Sequence, residues 1–171
     1  TYAQKDRISQ TVTFKVVNGS WNEGEGDAAT ADKTVTLTGY EGDTLTLAGV
    51  EMKITHTQEA FDIEIPEINA VYIHMLGHDV HSIVAGSPHA DALIAQLDGF
   101  ISRNIGLILT SHYTVEDLED AKTKIAYLSD LKNIAVKNAD AAAFKSAVQK
   151  KYAGYAGLNY LDMTAGMFYQ K

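Results

Sequence analysis

Alternation of apolar and polar residues predicts short strands in the first third of the chain. Residues 11–17 read Thr-Val-Thr-Phe-Lys-Val-Val, the pattern of a half-buried strand. Asn18-Gly19 follows and favours a turn, because both residues tolerate positive φ. Residues 33–38 and 44–47 predict two more strands, and residues 21–32 predict a long acidic loop. The pattern therefore indicates a small antiparallel unit of three strands.

Strand and helix patterns alternate in the rest of the chain. Strands are predicted at residues 50–54, 61–65, 70–73 and 106–110. Helices are predicted at residues 90–101, from the acids at 116–117 onward, and at residues 139–152. The Tyr- and Gly-rich segment 152–160 is interpreted as an irregular loop whose rings pack on the sheet. This order predicts a layered α/β (α+β) architecture.

Composition narrows the class of protein. Apolar residues make up 46% of the 171 residues, enough for a packed core. The net charge of −8, from 14 Lys+Arg and 22 Asp+Glu, argues against nucleic acid or an anionic membrane as a partner. The absence of Cys excludes disulfides and thiolate zinc sites, and no apolar run is long enough for membrane insertion. Because the chain starts without Met, we expect a fragment or a mature product.

Four of the six histidines follow apolar strands, three after residues 70–73 and one after residues 106–110. They are His74, His78, His81 and His112. Ligand groups of α/β sheets gather beyond the carboxyl ends of strands, and neutral imidazole binds zinc or iron. Asp79 is a further candidate ligand or partner. The alternative is a set of loop histidines hydrogen-bonded to water or backbone, and a solvated strand face for Glu59, Asp62 and Glu64.

Other catalytic motifs do not occur in the sequence. It contains no Gly-rich phosphate loop, no G-x-S-x-G elbow and no H-E-x-x-H pair. Ser82 and Ser111 adjoin histidines, but neighbours in sequence rarely have the geometry of a nucleophile and its base.

Residues 49–169 resemble the C-terminal half of the metallo-β-lactamase fold, in particular its alkylsulfatase-like branch. The motifs are Glu-Ile-Pro-Glu-Ile-Asn-Ala-Val-Tyr-Ile-His, Gly-His-Asp-Val-His-Ser and Ile-Leu-Thr-Ser-His-Tyr. The resemblance implies zinc or another divalent transition metal that activates water to attack an ester-type bond. It matches His112 to the final ligand, Glu59 to an early acid, and His78 and His81 to an H-x-x-H pair. His74 stands where the family has a bridging acid.

The family's H-x-H-x-D-H ligand set has no counterpart in this sequence. The resemblance places that set in a missing N-terminal half, which also supplies the second sheet of the αββα sandwich. We therefore expect the chain to be inactive alone and to expose an apolar sheet face. Its expected partners are a second copy or a complementary half-domain, and a small-molecule substrate once completed.

Residues 1–48 resemble a partial tandem repeat of bacterial cell-surface proteins. The motifs are Thr-Val-Thr-Phe-Lys-Val-Val-Asn-Gly-Ser-Trp-Asn and Lys-Thr-Val-Thr-Leu-Thr-Gly-Tyr-Glu-Gly-Asp-Thr-Leu. This implies an extracellular or cell-surface location. Two domains are predicted, a β-rich repeat module at 1–48 and a metallo-β-lactamase-like half-domain at 49–171. A natural fusion, a gene fragment and a recombined or misassembled reading frame all fit this division.

Two functional hypotheses follow. One is a partial metal-dependent hydrolase, and the other is a non-catalytic cell-surface or structural module. Only the first requires that the chain bind a metal.

Overall fold

The computed structural model describes residues 9–17, 20–23, 33–38, 42–57 and 61–170. The first three strands form an antiparallel sheet with β1 in the centre, in the order β2-β1-β3. They are β1 (Ser9–Val17), β2 (Ser20–Glu23) and β3 (Lys33–Thr38). The predicted strands at 11–17 and 33–38 are confirmed. The loop prediction for 21–32 was wrong at its start, because residues 20–23 pair with β1, with Trp21 opposite Val16.

The second sheet has five strands in the order β4-β5-β6-β7-β8. Its neighbours pair antiparallel from β4 to β7, whereas β7 and β8 are parallel. The strands are β4 (Thr44–Leu47), β5 (Val50–His56), β6 (Phe61–Ile65), β7 (Ala70–Ile73) and β8 (Leu107–Thr110). All were predicted within a few residues.

The strand β4 belongs to this second sheet. The prediction grouped it with the N-terminal unit and was wrong on this point, since Leu47 pairs with Val50 across a two-residue turn. The turn residues Ala48 and Gly49 have φ values of 51° and 88°, which suit a tight hairpin. The predicted domain boundary at 48/49 lies inside this turn. The division of the chain into two domains stays a prediction.

Four helices follow the pattern of the second half. They are α1 (Gly86–Ser102), α2 (Leu118–Lys137), α3 (Ala141–Lys151) and α4 (Leu158–Tyr169). The first three confirm the predicted helices. In the part of the chain that the structure describes, no helix combines the length and hydropathy needed to cross a bilayer.

A capping box fixes the start of α2. The Asp117 carboxylate accepts hydrogen bonds from the backbone N–H groups of Glu119 and Asp120, at 2.7 and 3.2 Å. The Asp120 carboxylate in turn accepts one from the Asp117 N–H at 3.0 Å. The first backbone N–H groups of a helix have no hydrogen-bond partner within it, so these reciprocal hydrogen bonds stabilise the first turn. It also fixes the position of Asp120 beside the loops at the sheet edge.

The helices cover one face of the second sheet. Val71 of β7 and Ile108 of β8 lie opposite each other on that face and are 1% and 0% exposed. They join a core with helical residues such as Leu97, Phe100 and Leu128. The other face carries a row of paired apolar residues that are only half-buried. These are Ile54, Ile63, Tyr72 and Leu109.

The C-terminal segment differs from its prediction. Residues 152–157 lie between α3 and α4, in agreement with the loop predicted for 152–160, whereas residues 158–160 begin α4, which packs on α3 and α1. The rings of Tyr152 and Tyr155 contact Tyr127 of α2, with centroid distances of 5.0 and 5.5 Å. The prediction that these rings pack on the sheet was therefore wrong.

Candidate metal-binding site

Two of the predicted histidines meet at the edge of the sheet. His74 directly follows β7, and His112 lies two residues beyond β8. Because β7 and β8 are parallel neighbours, their carboxyl ends are adjacent, and the Ser111 N–H donates to the His74 carbonyl at 3.2 Å. The two imidazole rings stand edge to face with centroids 5.0 Å apart. Both side chains are exposed and accessible to a ligand.

The electrostatics around His74 favour its neutral imidazole form. Partial burial lowers the pKa of His74, and the nearby His112 lowers it further, because two imidazolium charges would repel each other. Neutral imidazole is the form that binds a metal ion. The lowered pKa therefore favours His74 as a nitrogen ligand, and the ring of His112 lies beside it.

His78 lies in a second cluster with two carboxylates. Its Nδ1 atom is 2.9 Å from Glu116 Oε1 and 3.2 Å from Asp120 Oδ1. The hydrogen bond to Glu116 raises the pKa of His78. One ligand atom from each residue lies within 4.8 Å of the others, so the three residues could hold a metal ion. Imidazole and carboxylate donors suit zinc or another divalent transition metal.

Glu116 is buried, with 3% of its surface exposed. It reaches this place because its backbone pairs with Ile108, each N–H donating to the other's carbonyl at 2.9 Å. Its carboxylate also accepts hydrogen bonds from the backbone N–H groups of Gly77 and His78, at 3.0 and 2.8 Å. Glu116 therefore holds the loop that follows β7, in addition to contacting the His78 ring.

His81 faces the protein interior. It is 1% exposed, and its Nδ1 atom lies 3.0 Å from the Tyr127 hydroxyl. Its Nε2 atom is buried and has no hydrogen-bond partner among the described residues. Burial lowers the pKa of this ring, and the nearby Lys124 lowers it further. The structure therefore places His81 against α2 and not beside the exposed pair His74 and His112.

The loop between His74 and His78 depends on a glycine. Gly77 has a φ of 59°, a conformation that residues with a Cβ atom rarely adopt. A Cβ atom there would also lie 2.8 Å from the ring of Tyr113, which packs against the loop. Gly77 thus allows the backbone to pass close to Tyr113 and to turn its amide toward Glu116.

The predicted set of ligands is divided between several environments. The structure brings His74 to His112, separates His78 into its own cluster, and buries His81. Glu59 lies outside the described residues. Metal binding by any of these residues stays a prediction.

The sequence prediction missed Glu116 and Asp120 as site residues. It assigned the acids at 116–117 to the start of a helix, which is the role that Asp117 has. The spacing of Asp117 and Asp120 was a visible capping signal. No local sequence pattern identifies Glu116 as a site residue, because its burial results from backbone pairing with β8.

Asp62 and Glu64 lie on the sheet face that also carries Val71. Both are half-buried, so the expected solvated strand face is not what forms. The Gln96 amide of α1 donates to the Asp62 carboxylate at 2.6 Å, and Arg103 lies 3.4 Å from Glu64. These carboxylates anchor the sheet to α1.

Comparison with known proteins shows the fold. No protein-family model and no curated protein sequence matches the chain. A similar solved structure is that of the stereoselective inverting sec-alkylsulfatase Pisa1 from Pseudomonas sp., with a TM-score of 0.56 and 14% identity. The chain has half of a metallo-β-lactamase-like sandwich fold, preceded by a small antiparallel β unit.

The matched region covers 82% of this chain and 28% of the sulfatase chain. A double mutant of the same sulfatase matches with a TM-score of 0.54 and 15% identity, over 77% of this chain and 26% of that one. The half-sandwich thus spans little more than a quarter of these hydrolases. At this identity the similarity shows the fold alone.

Proposed function

We propose that this half-sandwich is part of a metal-dependent hydrolase that cleaves an ester-type bond in a small molecule. The observation that carries the proposal is the pairing of His74 and His112 at the carboxyl ends of two parallel strands, with ring centroids 5.0 Å apart. The solved structure with the similar fold is named as a sec-alkylsulfatase, and this name supports an ester-type substrate.

The chain supplies two sets of donors for a divalent transition metal such as zinc. His74 and His112 offer nitrogen atoms at an exposed edge, and the cluster of His78, Glu116 and Asp120 offers one nitrogen and two oxygens. When bound, such a metal lowers the pKa of a coordinated water and makes it a nucleophile at neutral pH. The residues of this chain hold and orient the donors.

A complementary half-domain is the proposed partner. Catalytic zinc sites use three protein ligands, and the exposed pair provides two. The half-buried row that contains Ile63 and Tyr72 supports docking of a second sheet, because apolar surface is stabilised by removal from water. The partner would supply the missing ligands, so hydrolysis is expected only from the completed sandwich.

Metal binding tests the proposal directly. The chain is dialysed against Zn²⁺, and bound metal is measured by plasma mass spectrometry. We expect bound zinc in the wild type and less of it in the double variant His74→Gln/His112→Gln, which keeps only the donors of the His78 cluster. The control is His56→Gln, since His56 lies on β5 and its Nε2 atom is near the Gly42 carbonyl, at 3.4 Å. Equal zinc content in all three proteins would refute the role of the pair.

The second candidate is a non-catalytic module of the bacterial cell surface. The separate sheet β2-β1-β3 favours it, because Thr-rich antiparallel strands suit an extracellular spacer. This candidate predicts that the chain binds no zinc and that a chelator leaves its melting temperature unchanged. A chelator-dependent melting temperature would support the hydrolase instead.

A further inference from the structure

The side chain of Lys124 is buried in the protein interior. It lies on α2 with 3% of its surface exposed, and its Nζ atom is 4.8 Å from the centroid of the Tyr127 ring. A buried ammonium group is costly unless it is hydrogen-bonded. Its two partners are backbone carbonyls of the loop after β7, Gly77 O at 2.8 Å and Val80 O at 2.6 Å.

The loop after β7 is also held through its backbone N–H groups. Glu116 accepts hydrogen bonds from the N–H groups of Gly77 and His78. Glu116, just before α2, therefore binds amide N–H groups of this short segment. Lys124, within α2, binds carbonyl groups of the same segment. Hydrogen bonds thus restrain both the amides and the carbonyls of this segment, and those to an ionised group are stronger than neutral ones. It connects His74 to His78 and His81.

We propose that Lys124 is a positioning residue, which fixes the backbone of residues 77–80 and thereby the place of the candidate metal ligands on that loop. In the part of the chain that the structure describes, Lys124 is not hydrogen-bonded to the ring of His74, His78 or His112, so its effect on these ligands must act through the Gly77 and Val80 carbonyls. The expected effect of Lys124 on metal binding rests on the proposed function, whereas its expected effect on the loop backbone does not.

Because the chain contains no cysteine, a single introduced cysteine can be alkylated selectively, and two reagents then give a matched pair of side chains at position 124. Lys124→Cys is alkylated in denaturant, either with 2-bromoethylamine or with 1-bromopropane, and then refolded. The first product restores an ammonium group at the length of lysine, and the second is a neutral side chain of the same length. The control is the same pair made from Lys132→Cys, since Lys132 of α2 pairs with Asp91 of α1 and not with the loop.

Two measurements are made on each protein. Hydrogen exchange of the Gly77 and His78 amides is followed by NMR, and the affinity for Co²⁺ is followed by its visible absorption. With the propyl side chain at 124, we expect exchange at these amides to be faster by at least about tenfold. Co²⁺ affinity should fall by about 10- to 100-fold. The aminoethyl side chain should restore both, and the Lys132→Cys pair should differ in neither.

The outcomes separate the two proposals. Equal exchange for the propyl and aminoethyl proteins at position 124 would overturn the role of Lys124, whatever the cobalt affinity. Faster exchange with unchanged cobalt affinity would overturn its role in ligand placement. If the wild type binds no Co²⁺, the proposed function fails, and the exchange of the Gly77 and His78 amides alone decides whether Lys124 fixes the loop.

Discussion

The Nδ1 atom of His81 and the hydroxyl oxygen of Tyr127 lie 3.0 Å apart in the interior of the protein. Both residues are almost completely buried. The contact ties the end of the loop after β7 to α2, next to the backbone hydrogen bond from the His81 N–H to the Ala156 carbonyl at 2.9 Å. A histidine that the sequence offers as a metal ligand thus has a structural role here.

Removing the Tyr127 hydroxyl should destabilise the fold. Tyr127→Phe leaves the buried Nδ1 atom of His81 without its partner, and an unsatisfied buried polar atom costs about 1–3 kcal/mol. The free energy of unfolding is measured by urea denaturation. The control is Tyr155→Phe, which removes a hydroxyl from the neighbouring ring and leaves the His81 contact intact. Equal stability of the two variants would contradict the importance of this hydrogen bond.

The contact between His78 and Glu116 should stabilise the protein at low pH. Glu116 raises the pKa of His78 in the folded state, so the folded protein holds this proton more tightly than the unfolded chain does. The stabilisation is present below the ordinary pKa of histidine and is lost as the pH rises through the raised pKa.

The variant His78→Gln isolates this contribution. Its difference in unfolding free energy from the wild type should shrink as the pH rises from below the ordinary pKa of histidine to above the raised pKa of His78. A difference that is constant with pH would show that the contact does not favour the protonated ring. His89→Gln is the comparison for a histidine outside this cluster.

Lys124 should make stability rise with pH. Burial lowers the pKa of Lys124 to about 7, while the unfolded chain keeps the ordinary value of 10.5. Between these values the unfolded chain binds more protons than the folded protein, so the free energy of unfolding increases with pH. Lys124→Met should lack this increase, as measured by urea denaturation at several pH values. Parallel pH profiles for wild type and variant would show that Lys124 keeps its ordinary pKa.

The capping box of α2 should contribute more than the simpler cap of α3. Asp117→Ala removes an acceptor of two backbone N–H groups and should cost about 1 kcal/mol, within a range of about 0.5–2 kcal/mol. Asp140→Ala removes a single hydrogen bond from the Ala143 N–H and should cost less. Thermal and urea unfolding measure both variants. A larger cost for Asp140→Ala would reverse this ranking.

Replacement of Gly77 by alanine should destabilise the protein more than replacement of Gly154. Gly77→Ala combines a positive φ with a Cβ atom 2.8 Å from the Tyr113 ring and should cost at least about 1 kcal/mol. Gly154→Ala meets no atom within 4 Å and should change stability by less than about 0.5 kcal/mol. Similar unfolding free energies for both would show that the loop after β7 relaxes without penalty.

Local patterns explain which parts of the fold were predictable. Alternation identified β5 and β6, the apolar run at 70–73 identified β7, and helical periodicity identified α1. Each pattern repeats within a few residues and reports burial on one side of a single element. The sequence also placed His74 and His112 just after apolar strands, but their meeting depends on the parallel pairing of β7 with β8, which the sequence did not predict.

Only the tertiary structure decided the partners of these elements. The pairing of β4 with β5, the helix α4 and the burial of Glu116 between β8 and the loop at 77–78 all depend on distant segments. Glu116 and Lys124 look like surface charges in sequence, since charge alone gives no sign of a buried hydrogen-bond partner. The sequence determined most of the elements and the placement of two histidines just after strands. Packing determined which charges are buried around them, because desolvation depends on everything that surrounds a group in space.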